Sequence, residues 1–458
     1  KNSKMITSLC WVPCDTLEGH PKRFNSGTAE EIAKGAEASG QVGITEPGKD
    51  KHGNPTTYID ETQLSVAIEE MDLEEDMILP SDTALLVGAA DEQMSHVDVV
   101  LVEPEQDNQY VHHYYDMVSF PNAIEYLDTV ANVQKGNFCA VATMEPGVEL
   151  WNLDVMDAPS PFATLGGPER PNDPDLLKDD SHTEAVIGLS WNKLQRNVLA
   201  SASADTNIKL WDLMTATCVK TFTHHQQEVS DVEWHLSDSS VMATGSYDKT
   251  LAVWDVRADK PGQIYNVNAD VEVVHWLFGK PNILLCGTDT GYICIYDVRT
   301  AVKPLNTFKA HPGDLTDVAL HPHIPTIIAT GSRSMDDKAP MKVFDLDDLS
   351  KPALVFKRSE KLGPVLSLSF CPDLFGILAC GTVVMGENWP QPRVVDLFSH
   401  NSVKSRFGKY EGGEDWQEQA VKEQQEKEAM ENATTDKKPP AAGDEGDNDD
   451  DDTAMDEN

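Results

Sequence analysis

Residues 181–212, SHTEAVIGLSWNKLQRNVLASASADTNIKLWD, and residues 224–255, HHQQEVSDVEWHLSDSSVMATGSYDKTLAVWD, are two versions of one pattern. Laid over each other without a gap, they match His182 to His225, Trp191 to Trp234, and Trp211-Asp212 to Trp254-Asp255. Outward along the chain, Trp276 follows Trp234 by 42 residues, and Tyr296-Asp297 follows Trp254-Asp255 by the same 42. Two interleaved series with one period are hard to obtain by chance. Within the first copy, Ala185 to Trp191, Val198 to Ser203, Asn207 to Trp211 and Thr217 to Phe222 are short alternating runs, broken by turn residues at Asn192, Asp205 and Thr215. Such runs predict strands rather than helices. The second copy repeats the plan with Val229 to Trp234, Val241 to Ser246, Thr250 to Trp254 and Gln263 to Val267.

A four-strand unit of this period closing on Trp-Asp resembles the WD repeat, which implies blades of a β-propeller. The resemblance extends to an internal polar set: a His before the first strand, Ser or Thr on the second, Asp in the next turn and the Trp of the third. Here these are His182, Ser201, Asp205 and Trp211, then His225, Thr244, Asp248 and Trp254. An indole N–H and an imidazole buried between blades both need partners, and a shared hydrogen-bond chain supplies them. A set that could suggest a hydrolase triad therefore reads as blade glue.

Weaker copies extend the array. One unit opens at His311, with Leu315 to Leu320, Ile327 to Ser332 and Lys342 to Leu346; Phe344-Asp345 replaces Trp-Asp, and extra residues enter the turn around Met335 to Pro340. Another holds Val365 to Phe370, Ile377 to Thr382 and Arg393 to Leu397. Upstream, Cys139 to Thr143 and Val148 to Leu153 are the middle of a blade, while Leu85 to Ala89, Val97 to Val102 and Tyr110 to Tyr114 form three strands of a blade that lacks its first. Met5 to Pro13 fits as that missing innermost strand, with Trp11 where Trp191 and Trp234 stand. The expectation is an all-β, seven-bladed propeller: a first strand in 1–14, an acidic insertion over 15–78 without strand periodicity, the remaining blades over 79–410, and an acidic tail over 411–458. Residues 166–180 read as a surface loop, and 414–432 as an exposed helix in a tail otherwise expected to be disordered.

The chain carries 77 Asp and Glu against 36 Lys and Arg, a formal charge of -41. The tail contributes -14 and Asp60 to Asp76 another -8, which leaves -19 for the rest. Such a field repels nucleic-acid backbones and anionic membranes and steers in basic proteins. A locally basic rim could still touch RNA; the candidates are Lys351, Lys357, Arg358 and Lys361, or Lys404, Arg406 and Lys409. No apolar run approaches the roughly 18 residues of a membrane span, and no signal peptide opens the sequence, so a soluble intracellular protein is expected.

No phosphate-binding loop, nucleophile elbow, metalloprotease helix or dinucleotide fingerprint is present in the sequence. The eight cysteines contain no C-x-x-C pair and read as small buried hydrophobes. His112-His113 and His224-His225 are expected to point to opposite faces of their strands and so not to chelate together; His321-Pro322-His323 lies in a turn without clustered Cys or carboxylates. No catalytic residue, cofactor, metal or small-molecule substrate is expected.

Beyond the generic repeat, Ile78-Leu79-Pro80-Ser81-Asp82, Tyr110-Val111-His112-His113, the run from Val148 to Val155 and the run from Arg196 to Asp205 resemble the periodic tryptophan protein 1 family. The resemblance covers nearly all of residues 4–410. It implies a nuclear and nucleolar protein acting in ribosome assembly and ribosomal RNA processing, a non-catalytic scaffold meeting proteins of the pre-ribosomal particle and ribosomal RNA. For some members it implies chromatin association at ribosomal genes through a histone tail. A ubiquitin-ligase substrate adaptor is a third reading, from what WD propellers commonly do.

Overall fold

A computed structural model describes residues 3–14, 16–17, 19, 21–23, 77–79 and 82–410, apart from 92, 104–107, 131–134, 157, 171–172, 301–302, 359–362 and 386–390. The acidic run 60–76 and the tail 411–458, with its expected helix, lie outside the described residues. Seven innermost strands, Ser3–Trp11, Pro121–Leu127, Val186–Trp191, Val229–Trp234, Val271–Trp276, Leu315–Leu320 and Val365–Phe370, each pack on the next, and the seventh packs on the first. Six carry three further antiparallel strands; in the seventh blade, Ile377–Met385 and Arg393–Asp396 are the other strands among the described residues.

The second strand of each blade is sandwiched between neighbouring blades, so it is apolar or small throughout; Phe138–Thr143 and Ile283–Thr288 are buried along their full lengths. Close approach fixes one position in particular. A Cβ on Gly245 would collide with Val271 of the next blade, one on Gly287 with Leu315, one on Gly331 with Val365, and one on Gly381 with Ile6. The blade 7 to blade 1 joint is thus packed like the joints between consecutive blades.

Each innermost strand also slips register at one step: Ile6/Ser8, Pro121/Ala123, Val186/Gly188, Val229/Asp231, Val271/Val273, Leu315/Asp317 and Val365/Ser367. The extra residue of such a bulge turns out of the ladder. In four blades it is a polar residue that donates to a carbonyl of the next blade: Thr7 to Pro121, Asn122 to Val186, Ser230 to Val271 and Thr316 to Val365.

Three segments differ from the sequence reading. Residues 168–177, expected as loop, form the hairpin Pro168–Arg170 with Asp173–Leu177, and Gly166 ends the outermost strand of blade 2. Within the insertion, Lys22–Arg23 pairs in parallel with Val155–Met156; two residues are too few for periodicity to reveal. Finally, the helix Asn401–Phe407, here α1, buries Val403 and Phe407 among Val395, Leu397 and Phe398 of the blade 6–7 core.

Candidate functional site: the acid-lined channel and the basic rim

The predicted polar sets come together inside blades 3 and 4. His182 Nε2 lies 2.7 Å from Ser201 Oγ and Nδ1 2.9 Å from Asp205, while Trp211 donates to the same Ser201 oxygen at 2.8 Å. In blade 4 the corresponding distances are 2.9 Å to Thr244, 2.9 Å to Asp248 and 3.0 Å from Trp254. Burial would raise the Asp205 pKa, but the hydrogen bond and field of His182 bring it below the ordinary carboxylate value. Ser201 and Thr244 are fully buried and engaged by indole N–H groups, so each set braces its own blade internally. A third set escaped the sequence reading: His311 lies 2.8 Å from Thr330 and 2.7 Å from Asp337. The extra turn residues set this His and Asp 26 apart instead of 23, whereas the His to Ser/Thr interval stays at 19 in all three blades and was the available signal. Phe344 replaces the indole, and Lys342 Nζ, 3.3 Å from Asp337, occupies the space beside the set.

The innermost strands surround a central channel of about 720 Å³. Into it the bulged geometry brings Asp231, Glu233, Glu272, His275 and Asp317. Asp231 accepts the Val274 N–H at 2.8 Å, and Asp317 the Leu368 N–H at 2.6 Å, each from the following blade. Burial pushes Asp231 up to about 7 against the pull of His275, and raises Asp317 as well. Burial alone would lower His275, but Glu233 at 3.0 Å, helped by Asp231 and Asp317, outweighs it and lifts the imidazole to about 9. His275 is therefore cationic at neutral pH and paired. Leu236 and Phe278, exposed in the turns that follow Trp234 and Trp276, also line the channel. The arrangement is a polar tunnel with a partly apolar lip.

The expectation that His112 and His113 point apart is corrected: their Nδ1 atoms lie 2.8 Å from each other. The ladder runs from Val99 opposite His113 to Val100 opposite Val111, so His112 is the extra residue of a bulge and the strict alternation fails there. Among the described residues no group of three or more His, Cys, Asp or Glu is placed to hold a metal ion.

Of the candidate basic rim, Lys351 and Lys357 are exposed and Arg358 is half-buried, on or just before Ala353–Arg358, the outer strand of blade 6. Lys404 and Arg406 are on α1, which packs against that same strand; Lys409 lies in the turn Gly408–Tyr410, and Lys361 outside the described residues. The fold thus brings the two separate groups to one edge. Arg406 also has a structural duty, pairing through Nε with the buried carboxylate of Asp345. Blades 4 and 5 satisfy the equivalent Asp255 and Asp297 with Arg257 and Arg299 two residues on.

Residues 176–212, 216–255 and 302–339 match the family model described as WD domain, G-beta repeat. The chain is similar to an uncharacterized WD repeat-containing protein of Schizosaccharomyces pombe, 40% identical over 70% of this chain and 63% of that one. It is 29% identical to periodic tryptophan protein 1 of Saccharomyces cerevisiae over 72% of this chain and 66% of that one. It is 27% identical to the periodic tryptophan protein 1 homolog of Drosophila melanogaster over 74% and 73%. The match thus spans slightly under two thirds of the two yeast relatives' lengths. A chain in the crystal structure of a mitotic checkpoint complex shares the fold, with a TM-score of 0.51, 20% identity, and coverage of 65% of this chain and 81% of that one.

Proposed function

We propose that this chain, which carries WD repeats and is similar to periodic tryptophan protein 1 of yeast and Drosophila, is a non-catalytic scaffold in nucleolar assembly of the large ribosomal subunit. The observation that supports the scaffold reading is the engagement of the three His–Ser/Thr–Asp sets found among the described residues, each within its blade, which points to the surfaces of the propeller as its working parts. The tail and the 60–76 run, strongly acidic, suit basic ribosomal proteins; the edge formed by Ala353–Arg358 and α1 suits ribosomal RNA. Affinity capture of the full chain from nuclear extract tests the reading. Large-subunit precursor RNA and proteins are expected in the eluate, and their absence at low salt argues against it.

A second reading is favoured by the acid-lined channel: binding of a basic histone tail at ribosomal genes. Titration of histone peptides against the full chain separates the two, since saturable, channel-dependent binding supports the second reading.

A further inference from the structure

Cys286 and Cys294 face each other on the central strands of blade 5. The Val298 N–H bonds the Asn282 carbonyl at 3.0 Å, which makes that opposed pair a hydrogen-bonded one. Alternation along the ladder makes Cys286 and Cys294 another, at a Cα separation of about 5.5 Å. This Cα separation lies inside the roughly 4.4–6.8 Å a disulfide spans, and closure draws the two Cβ atoms together from about 5.5 Å to about 4 Å. Both thiols are buried, Cys294 5% exposed, beside Tyr265 and Tyr296 between blades 4 and 5.

We propose that Cys286 and Cys294 are a modification site, a cross-strand dithiol that closes to a disulfide on oxidation by a peroxide. Interaction with the Cys286 thiol, supported by Thr307, holds Cys294 below the ordinary thiol range, and the same interaction together with burial raises Cys286. Cys294 is then the attacking sulfur, because the thiolate is the nucleophile. Its sulfur takes one peroxide oxygen, the O–O bond breaks, and hydroxide leaves and is protonated to water. The Cys286 sulfur displaces the resulting hydroxyl, the S–S bond forms and the S–O bond breaks, and a second water leaves. The two thiols lose two electrons and two protons, and one peroxide is reduced to two waters. None of the other described cysteines faces a second one in this way across a strand pair.

The test is hydrogen peroxide treatment of the full chain, denaturation, alkylation with N-ethylmaleimide, tryptic digestion and mass spectrometry. Lys260 and Lys280 each precede proline, so both cysteines fall in the single peptide 258–299. The expected product is that peptide without alkyl groups and about 2 Da lighter than its dithiol form, returning to two adducts after dithiothreitol. In Cys286→Ser the disulfide disappears and dimedone traps a sulfenic acid on Cys294. Two alkyl groups on the peroxide-treated wild-type peptide, irreversible sulfonic acid, or disulfides from these residues to other cysteines would each overturn the proposal, whichever way the variants fold.

Discussion

Trp11 donates its indole N–H to the Ser369 carbonyl at 3.0 Å, across 358 positions of sequence. Trp234 makes the same bond to Ser190 at 3.1 Å between blades 3 and 4. The first and last blades therefore meet as consecutive blades do, and the start of the first strand adds a second clasp: Ser3, Lys4 and Met5 pair with Met385, Val384 and Val383.

Closure by the N-terminal strand predicts graded losses. Trp11→Phe removes the indole bond and is expected to cost about 1–2 kcal/mol, while Trp11→Ala also leaves a cavity and is expected to cost about 3–5 kcal/mol. Equilibrium urea unfolding measures both; equal, negligible costs would mean the joint is not closed by this side chain.

The blade networks predict an ordering. Ser201→Ala removes the partner of two buried groups, the Nε2 atom of His182 and the indole N–H of Trp211, and is expected to cost about 2–4 kcal/mol. Thr330→Val strands the His311 ring alone and is expected to cost about half as much, because blade 6 has Phe344 where an indole would need an acceptor. Thermal melts of the two variants decide the order.

Glu125 gives a pH dependence. Burial pushes it up to about 7, opposed by Lys193 and by the Trp191 N–H that it accepts. The folded state thus binds this proton more tightly than the unfolded state. Its stabilising effect is present below about pH 4.5 and is lost as pH rises through about 7. Glu125→Gln removes the charge and is expected to flatten the decline in melting temperature between pH 5 and 8, gaining about 1–2 kcal/mol at pH 8. An unchanged pH profile would contradict this.

Arg406 anchors α1 on blade 6. Arg406→Ala leaves the Asp345 carboxylate, 4% exposed, without its guanidinium and is expected to cost about 2–3 kcal/mol. Hydrogen exchange should quicken over 401–407 first. If exchange there is unchanged, α1 is held by Val403 and Phe407 alone.

Much of this architecture was legible because burial between blades imposes a repeated pattern on side chains. Trp11 could be placed by analogy with Trp191 and Trp234, and Ser201 and Thr244 by their fixed distance from a histidine. What stayed hidden depends on local irregularity or distant pairing. The Asp337 network was masked by a lengthened turn, and His112 by a bulge that breaks alternation. The guanidinium partner of Asp345 comes from 61 residues away instead of two, and the clasp between Ser3 and Met385 joins segments with no sequence signal in common.

The central claim, a scaffold for large-subunit assembly, is tested most directly by depleting the protein and following pulse-labelled ribosomal RNA. The account predicts that large-subunit precursors accumulate and that re-expressed wild-type chain, but not Trp11→Ala, restores processing. Normal precursor profiles after depletion would contradict it.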